Sequence, residues 1–561
     1  MKTQTTTRPL RDLVHEFNIG YILLPQFQRD YVWKPRKICN LLDSLVRELP
    51  IGGFYLWRPI GNALDPKPKA FGGSKISESF SGYLIDGQQR LTSLEAAFGL
   101  FSGQDKRGDL LRSYLDLGAT DLKAKRITRL FVTYAGNKTV ARRVNQSDPS
   151  LIPLSELFSG QNQDLRRETE DSLKDSGWGN KRVDNAMKVF DQACRMLDQL
   201  VPCTTVSDIS DKDAVLVFDR LNKGGTALRQ GDVRAAELAR GTTVTVLRRM
   251  REFVSEQLPQ RLGFGFSFAF RALVVFHRQS AQFARLKDDW MEAPGPHGRQ
   301  LKDSWSATER AVNEALLFAD EKMGWSRCIL VPSANALIVL AAVLDRANYK
   351  ITSSDEQALR RWLCLTALRQ VFQGSVETTI NRFLRGLADT KGSPVQAAIG
   401  ALHRNEGRAI QADEFLQGAQ LWGPATQVMH SWLVSENATD WLETERTIDD
   451  LARDGSSTPG GDLTVHHIFA RHALFEAGEY SETVNRPANF ALLSRSTNAE
   501  FGDRHGDEVL NTLKPSQRQA ASIQFFGEAA GDLLMLDKYQ EFCEWRAKRL
   551  AEALNRYVGI R

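Results

Sequence analysis

Two adjacent histidines, His466 and His467, are the residues of this sequence best suited to hydrolytic chemistry. Hydrolysis of a phosphodiester requires an activated water beside a divalent ion, which takes up the charge that develops on the leaving oxygen. A neutral imidazole accepts a proton near pH 7, so His467 is the predicted general base. His466 points to the opposite side of an extended backbone, and with Asn498 it is predicted to ligate Mg²⁺ or Mn²⁺. Asn489 is predicted to complete the catalytic set by holding the loop that orients the base.

The order of the residues around these side chains predicts the scaffold that positions them. A short apolar strand ends in the two histidines, a loop leads to Asn489 and a second apolar run, and Asn498 falls on the following helix. This order is typical of a ββα metal finger. A structural zinc site formed by His466, His467 and His472 is one alternative, but no cysteine lies near them in the sequence to complete it. A chance pair of histidines is the other, and the ordered set of residues argues against it.

A second candidate site lies in the N-terminal part of the chain, where a short apolar strand at residues 83–85 runs into a helical pattern. The site residues at this junction are Asp86, Gly87, Gln88, Gln89 and Arg90. Unpaired amides at a helix start attract phosphate, and a glycine there lets the backbone approach it closely. Arg90 and the two glutamines can donate hydrogen bonds to phosphate oxygens, and Asp86 can hold Mg²⁺ or polarise a water.

Two further residues are assigned to the same site. Gln28 and Arg29 belong to an extended segment of interleaved polar and aromatic residues, which precedes an amphipathic helix beginning near Pro35. They are predicted to close over the phosphates. An ordinary helix cap is the alternative interpretation of residues 86–90.

The N-terminal motifs resemble those of the GmrSD-type family of modification-dependent, type IV restriction endonucleases. LPQFQRDYVW at residues 24–33 is followed by YLIDGQQRLTSL at residues 83–94, and FDRLNKGGTAL at residues 218–228 resembles the segment that completes the same domain. The resemblance implies a nucleotide-binding domain similar in fold to ParB and sulfiredoxin. It also implies that the site around residues 86–90 binds a nucleoside triphosphate.

The C-terminal stretch is similar to the HNH nuclease domain of the same family. HHIF at residues 466–469, NFALL at residues 489–493 and Asn498 follow the family order of (D/E/H)HIFP, NLxLL and N. The resemblance places the metal-side positions on His466 and Asn498, the base on His467 and the loop asparagine on Asn489. Ala470 departs from the pattern, because the family usually has proline there. That proline shapes the strand exit and carries no chemistry.

The composition indicates an ordinary globular protein. The chain of 561 residues is long enough for two to four domains, and 42% of its residues are hydrophobic and 25% charged. The longest apolar run, residues 328–344, is interrupted by polar residues and is too short to span a bilayer. A net charge of +5 permits a nucleic-acid partner without requiring one. The start of the chain lacks a signal-peptide pattern and the six cysteines form no CxxC pair, so we expect a cytoplasmic protein with reduced thiols.

We expect an α+β fold that is mostly helical. Residues 1–235 are expected to form the ParB- and sulfiredoxin-like nucleotide-binding domain, residues 236–410 a helical connector, and residues 411–561 a helical domain carrying the ββα-metal HNH finger. Apolar residues spaced three and four apart predict helices through the connector and another helical stretch between residues 441 and 451. The phenylalanines of residues 264–270 are predicted to be core residues rather than a base-stacking platform.

These features predict an NTP-dependent DNA endonuclease, in which nucleotide binding or hydrolysis switches a metal-assisted nuclease between restrained and active states. The expected partners are DNA and a nucleoside triphosphate, without a membrane, and a homo-oligomer is left open. The resemblance, rather than composition or spacing, implies bacterial defence and the cutting of modified phage DNA. Two alternatives remain: a nucleotide-gated DNA clamp or sensor without nuclease activity, and a toxin-like nuclease that cuts RNA.

Overall fold

The computed structural model describes residues 1–25, 28, 31, 33–59, 80–100, 111–119, 130–133, 138–158, 162–209, 211–222, 243–282, 294–295, 298–454, 460–529 and 531–560. The chain divides into two compact units, Met1–Ala239 and Arg240–Arg561. The α+β class with mostly helical content is confirmed. The expected division into three domains stays a prediction.

The first unit combines short strands with helices. Its described strands are β1 (Lys2–Pro9), β2 (Ile22–Leu23), β3 (Phe54–Trp57), β4 (Gly82–Asp86), β5 (Ser113–Asp116), β6 (Phe131–Thr133), β7 (Leu151–Pro153) and β8 (Leu200–Ser207). Its described helices are α1 (Leu10–Asn18), α2 (Pro35–Val46), α3 (Gln88–Ala97), α4 (Lys138–Asn145), α5 (Leu154–Phe158), α6 (Asn162–Asp175), α7 (Asn180–Arg195) and α8 (Asp211–Asn222).

A five-stranded mixed sheet in the order β1-β8-β3-β4-β2 supports the N-terminal candidate site. β4 lies between β2, with which it runs parallel, and β3, with which it runs antiparallel. Successive residues Tyr83, Leu84 and Ile85 of β4 are fully buried, so the strand is covered on both faces of the sheet. A strand in this position must be apolar on both sides. The carboxyl end of β4 therefore holds the following turn in a fixed place. A separate three-stranded sheet has the order β6-β5-β7.

The second unit is a helical assembly with one small sheet among its described residues. Its first helices are α9 (Thr243–Ser255), α10 (Gln257–Arg261), α11 (Phe266–Arg278), α12 (Leu301–Leu317), α13 (Ala334–Arg346), α14 (Ser353–Leu368), α15 (Val376–Asp389) and α16 (Pro394–Gly400). The chain continues with α17 (Pro424–Ser435), α18 (Ile448–Arg453), β9 (Leu463–His467), α19 (Arg471–Glu476), α20 (Ser481–Val484), β10 (Phe490–Ser494), α21 (Arg495–Phe501), α22 (Gly506–Thr512), α23 (Pro515–Ile523) and α24 (Tyr539–Tyr557).

The predicted core phenylalanines are confirmed. Phe264, Phe266 and Phe268 are each 8% exposed and Phe270 is fully buried, so their rings pack inside the unit. The six cysteines are free thiols, as expected. Among the described residues, no helix combines the length and the apolarity needed to cross a bilayer.

The predicted helical stretch between residues 441 and 451 is wrong over most of its length, because the helix begins only at Ile448. Asp440 accepts hydrogen bonds from the backbone amides of Leu442 and Glu443, both at 2.9 Å, and this side-chain bonding replaces the helical pattern. Thr447 then caps α18, since its hydroxyl accepts a hydrogen bond from the Asp450 amide at 3.0 Å.

Candidate active site

The antiparallel hairpin of β9 and β10 positions the two histidines at the end where residues 468–489 connect the strands. His466 pairs with Ala491 and His467 with Phe490. Successive side chains of a strand alternate between its faces, so the two imidazoles point to opposite sides of β9. All five residues of β10 are buried, which fixes the register of the hairpin. The chain then continues directly into α21, giving the order strand, strand, helix.

Asn498 of α21 meets His466 across this arrangement. The Asn498 Oδ1 atom lies 2.8 Å from Nδ1 of His466, although the two residues belong to different elements. The start of α21 is fixed by its cap, because the Ser494 hydroxyl accepts a hydrogen bond from the Thr497 amide at 3.0 Å. The structure therefore brings His466 and Asn498 together, and their predicted role as metal ligands stays a prediction.

Asp440, which is fully buried, holds the junction between β10 and α21. Its Oδ2 atom accepts a hydrogen bond from the Ser494 amide at 2.6 Å, and its Oδ1 atom accepts one from the Thr497 hydroxyl. The same carboxylate also orders the turn at residues 442–443. It thereby ties the turn before α18 to the helix that carries Asn498.

The His466 ring is enclosed by aromatic side chains. It is 3% exposed and stands edge-on to Trp441, with ring centres 6.2 Å apart, while Phe501 lies at 5.6 Å. Burial lowers the pKa of His466 to about 4, so the imidazole is neutral at pH 7, as a metal ligand must be. Its buried Nε2 atom has no hydrogen-bond partner within the described residues, and a proton there would lie beside aromatic rings.

The donor atoms of His466 and Asn498 fit a divalent ion. Two neighbouring ligands of octahedral Mg²⁺, each at ~2.1 Å, lie roughly 3 Å apart. The observed separation of 2.8 Å is compatible with this spacing, and it is also the length of a hydrogen bond between the two side chains. The zinc alternative is not supported, because no three His, Cys, Asp or Glu side chains of the described residues are grouped to hold a metal. The third histidine of that alternative, His472, is 71% exposed and paired with Glu476.

His467 occupies a different environment from its neighbour. Its Nε2 atom lies 3.0 Å from Oδ1 of Asn485, and its ring stands edge-on to Phe490 at 5.2 Å. Burial lowers the pKa of His467, the hydrogen bond with Asn485 opposes this, and the positive charge of Arg471 lowers it further. The imidazole is therefore neutral at pH 7, the state that a general base requires.

Asn489, which is fully buried, clamps the end of β9 through backbone groups. Its Oδ1 atom accepts a hydrogen bond from the Phe469 amide at 2.9 Å, and its Nδ2 atom donates to the carbonyls of Phe469 and Val484. Its own carbonyl accepts one from the Ile468 amide at 2.9 Å. These bonds hold the loop backbone against the end of β9, and Asn489 lies away from solvent.

The N-terminal candidate site is built on the turn from β4 into α3. Gly87 has φ 104°, a backbone conformation that L side chains rarely adopt. A Cβ atom at this position would lie 2.3 Å from Cδ1 of Phe54. The turn therefore requires glycine both for its conformation and for its close packing against β3.

Arg90 braces the loop before β3 against this turn. Its guanidinium donates hydrogen bonds to the carbonyls of Ile51 at 2.7 Å and Gly53 at 2.8 Å, and to Oδ2 of Asp86 at 2.9 Å. It also lies over the Phe54 ring, 4.5 Å from its centre. Burial lowers the pKa of Arg90, while the Asp86 carboxylate opposes this shift. Both terminal guanidinium nitrogens are thus engaged within the protein.

Gln28 joins the extended segment to the same strand. Its Nε2 atom donates to the carbonyls of Leu84 and Ile85, at 2.8 and 2.7 Å, next to Asp86. Gln88 and Gln89, at the start of α3, are 5% and 6% exposed. The structure therefore brings Gln28 close to residues 86–90, while Arg29 lies outside the described residues.

Comparison with known proteins assigns the N-terminal part of the chain. Residues 10–239 match the family described as GmrSD restriction endonuclease, N-terminal domain. The N-terminal part of this chain is therefore similar to the N-terminal domain of GmrSD restriction endonucleases. The matched region contains Gln28, Gly87 and Arg90, and it ends where the first compact unit ends.

One relative among curated proteins shares a short region. The chain is 33% identical over 105 residues to the uncharacterized protein MJ0686 of Methanocaldococcus jannaschii. The alignment covers 17% of this chain and 17% of that protein.

Several residues around the histidine pair were not found from the sequence. Asp440, Trp441 and Asn485 lie outside the motifs, and no local pattern marks them. Gln524 is another, because its amide bonds both the N–H and the carbonyl of Leu492 in β10 at 2.9 Å. These contacts join residues far apart in the chain, and only the fold brings them together.

Proposed function

We propose that this protein is a divalent-metal-dependent DNA endonuclease regulated by a nucleoside triphosphate. The observation that carries the proposal is the 2.8 Å approach of His466 Nδ1 to Asn498 Oδ1, with the neutral His467 next in sequence. The match of residues 10–239 to a restriction endonuclease family supports DNA as the substrate. We further propose that the protein acts in the bacterial cytoplasm against phage DNA that carries modifications.

The two histidines have different roles at the proposed centre. His466 and Asn498 would hold Mg²⁺ or Mn²⁺, which when bound supplies charge stabilisation at the phosphate and the leaving oxygen. His467 takes the proton from the attacking water, because burial keeps its imidazole neutral at pH 7. Asn489 keeps the end of β9 in place through its three side-chain hydrogen bonds.

The nucleotide is proposed to bind where β4 meets α3. The first amides of a helix carry partial positive charge, and Gly87 allows the phosphates to approach them. Gln28 holds the neighbouring segment against β4. Arg90 remains a candidate phosphate contact, because a phosphate oxygen can replace Asp86 as its acceptor and so free that carboxylate. Such an exchange provides a local switch that responds to nucleotide binding.

A plasmid-nicking assay tests the proposed function. Supercoiled DNA in unmodified, hydroxymethylated, glucosylated and phosphorothioated forms is incubated with the full chain, with and without Mg²⁺ and each nucleoside triphosphate. We expect Mg²⁺-dependent cleavage of a modified form, and a reduction of roughly 10²- to 10⁴-fold in the His467→Ala variant. The His472→Ala variant is the matched control, because His472 is an exposed histidine on the next helix.

Two results of this assay contradict the proposal. Cleavage by His467→Ala at the wild-type rate refutes the assigned base. Nucleotide-dependent DNA binding by the wild-type chain without any cleavage favours the clamp or sensor alternative instead.

A further inference from the structure

The side chain of Asn485 is held in one orientation by α20. Its Nδ2 atom donates a hydrogen bond to the Ser481 carbonyl at 2.9 Å and lies 3.2 Å from the Ser481 hydroxyl. A carbonyl oxygen only accepts hydrogen bonds, so the amide nitrogen must face Ser481. The amide oxygen must then face His467, which agrees with the 3.0 Å contact between Oδ1 and Nε2.

This orientation determines which nitrogen of His467 carries the proton. An amide oxygen cannot donate, so Nε2 of His467 must be the donor in this contact. A neutral imidazole has one N–H group and one free lone pair. The lone pair of neutral His467 therefore lies on Nδ1.

The position of Asn485 is itself supported from two sides. Its carbonyl accepts a hydrogen bond from the Ala419 amide at 2.9 Å. The neighbouring Gly418 packs so closely on α20 that an added Cβ atom would lie 2.4 Å from the Glu482 carbonyl oxygen. On the other side, Asn489 donates to the Val484 carbonyl at 3.2 Å. The amide of Asn485 is thus attached to a packed turn rather than to a free loop end.

We propose that Asn485 is a positioning residue that holds His467 as the Nε2–H tautomer, so that Nδ1 is the atom that accepts the proton of the attacking water. This inference rests on the proposed nuclease function. In the reaction, the proton of water moves to Nδ1, the water oxygen forms a bond to phosphorus, and the bond from phosphorus to the leaving oxygen breaks. The leaving oxygen takes a proton from solvent. Asn485 keeps the same hydrogen bond throughout and stabilises the imidazolium that forms.

Three variants of the full chain separate this role from a merely structural one. Asn485→Leu has a similar size but removes the acceptor, whereas Asn485→Asp retains an oxygen that can accept from Nε2. Asn555→Leu is the matched control, because the Asn555 amide is also hydrogen-bonded within the same unit, to the amide and carbonyl of Ile410, both at 2.9 Å. Thermal melting of each variant reports whether the chain is folded.

Nitrogen NMR of ¹⁵N-histidine-labelled protein at pH 7.5 measures the tautomer directly. The His467 signals are identified by their loss in His467→Gln. We expect wild type and Asn485→Asp to show a protonated Nε2 and a bare Nδ1, and Asn485→Leu to lose this preference. A wild-type His467 protonated at Nδ1, or an unchanged tautomer in Asn485→Leu, overturns the proposal. This readout needs no DNA cleavage, so failure of the proposed function is detected separately.

Steady-state cleavage gives the second readout. We expect kcat of Asn485→Leu to fall roughly 10- to 100-fold with little change in KM, because the hydrogen bond orients the base and does not bind DNA. Asn485→Asp should recover most of kcat, and Asn555→Leu should resemble wild type. If Asn485→Leu is unfolded, the test rests on the wild-type tautomer and on the kcat of Asn485→Asp. A tenfold loss of kcat in folded Asn485→Asp, together with a protonated Nδ1 of His467, also overturns the proposal.

Discussion

Burial acts differently on two histidines that are neighbours in the sequence. His466 is enclosed by Trp441 and Phe501, and burial brings its pKa to about 4. His467 is less enclosed and has a partner, Asn485, at Nε2. Both imidazoles are neutral at pH 7, but only the first faces Asn498. Strand alternation and these different partners support the proposed assignment of His466 as ligand and His467 as base.

The buried carboxylate of Asp440 gives a prediction at the same scale. Asp440→Ala leaves the Ser494, Leu442 and Glu443 amides without their acceptor, and we expect a loss of roughly 3–5 kcal/mol in the unfolding free energy. We also expect weaker Mn²⁺ binding, because α21 loses the group that fixes its start. Urea denaturation and metal titration measure the two effects.

The control for this substitution is Asp503→Ala. Asp503 is an exposed aspartate just after α21, and its replacement should change the unfolding free energy by less than about 0.5 kcal/mol. Equal stability of the two variants would show that Asp440 does not hold the junction.

At the scale of elements, the hairpin and α21 form a small unit that depends on a buried support from α24. The guanidinium of Arg546 donates to the carbonyls of Ala488 and Gln524, at 2.7 and 3.1 Å. Arg546 is fully buried, and burial lowers its pKa to about 9. Together with Gln524, which bonds β10, this arginine supports the strand that opposes the two histidines.

The tight turn between β4 and α3 gives a prediction for the N-terminal unit. Gly87→Ala combines a positive φ with a contact of 2.3 Å to Phe54, and we expect it to destabilise the turn by roughly 2–5 kcal/mol. Gly177→Ala is the matched control, because Gly177 also has a positive φ but no atom within 4 Å of the added Cβ. Gly177→Ala should lower the unfolding free energy by about 1 kcal/mol.

Hydrogen exchange of the β4–α3 peptide in the full chain measures this difference. Faster exchange in Gly87→Ala than in Gly177→Ala is the expected result. Similar exchange in both variants would mean that the packing against Phe54 has no part in the stability of the turn.

Elements with a regular apolar pattern were predictable from the sequence, and the contacts that join them were not. The spacing of Leu10, Leu13, Val14 and Phe17 predicts a helix, and α1 spans Leu10–Asn18. Residue type and order also single out His466, His467, Asn489 and Asn498, whose roles stay a prediction. Asn485 and Asp440 were missed, since each acts through hydrogen bonds that depend on the fold rather than on local spacing.

At the scale of the whole molecule, buried neutral histidines make stability depend on pH. His430 lies fully buried in α17, and its ring nitrogens have no hydrogen-bond partner within the described residues. Burial, aided by the positive charge of Arg453, lowers the pKa of His430 to about 3. Below pH 6.5 the unfolded chain binds a proton that the folded chain excludes, so stability is lost as the pH falls from 6.5 towards 3.

A substitution that removes this histidine should reduce the acid sensitivity. Between pH 7 and pH 5, wild type should lose about 2 kcal/mol more stability than His430→Leu, because each pH unit below the unfolded pKa contributes about 1.4 kcal/mol. His466 also makes the folded state less stable in acid, but it is present in both proteins and so does not affect the difference between them. Urea midpoints of the second unit at the two pH values measure the effect, with His472→Ala as an exposed control. Equal losses of stability in wild type and His430→Leu would contradict the lowered pKa of His430.

Metal-dependent cleavage by this protein requires that His466 and Asn498 bind a divalent ion together, as we propose. Pulsed EPR of the full chain with one equivalent of Mn²⁺ tests it, because an imidazole nitrogen bound to Mn²⁺ modulates the electron spin echo. We predict modulation from one imidazole in wild type, its loss in His466→Gln, weaker Mn²⁺ binding in Asn498→Leu, and no change in His472→Gln. Absence of imidazole modulation in wild type, or its persistence in His466→Gln, would contradict the account.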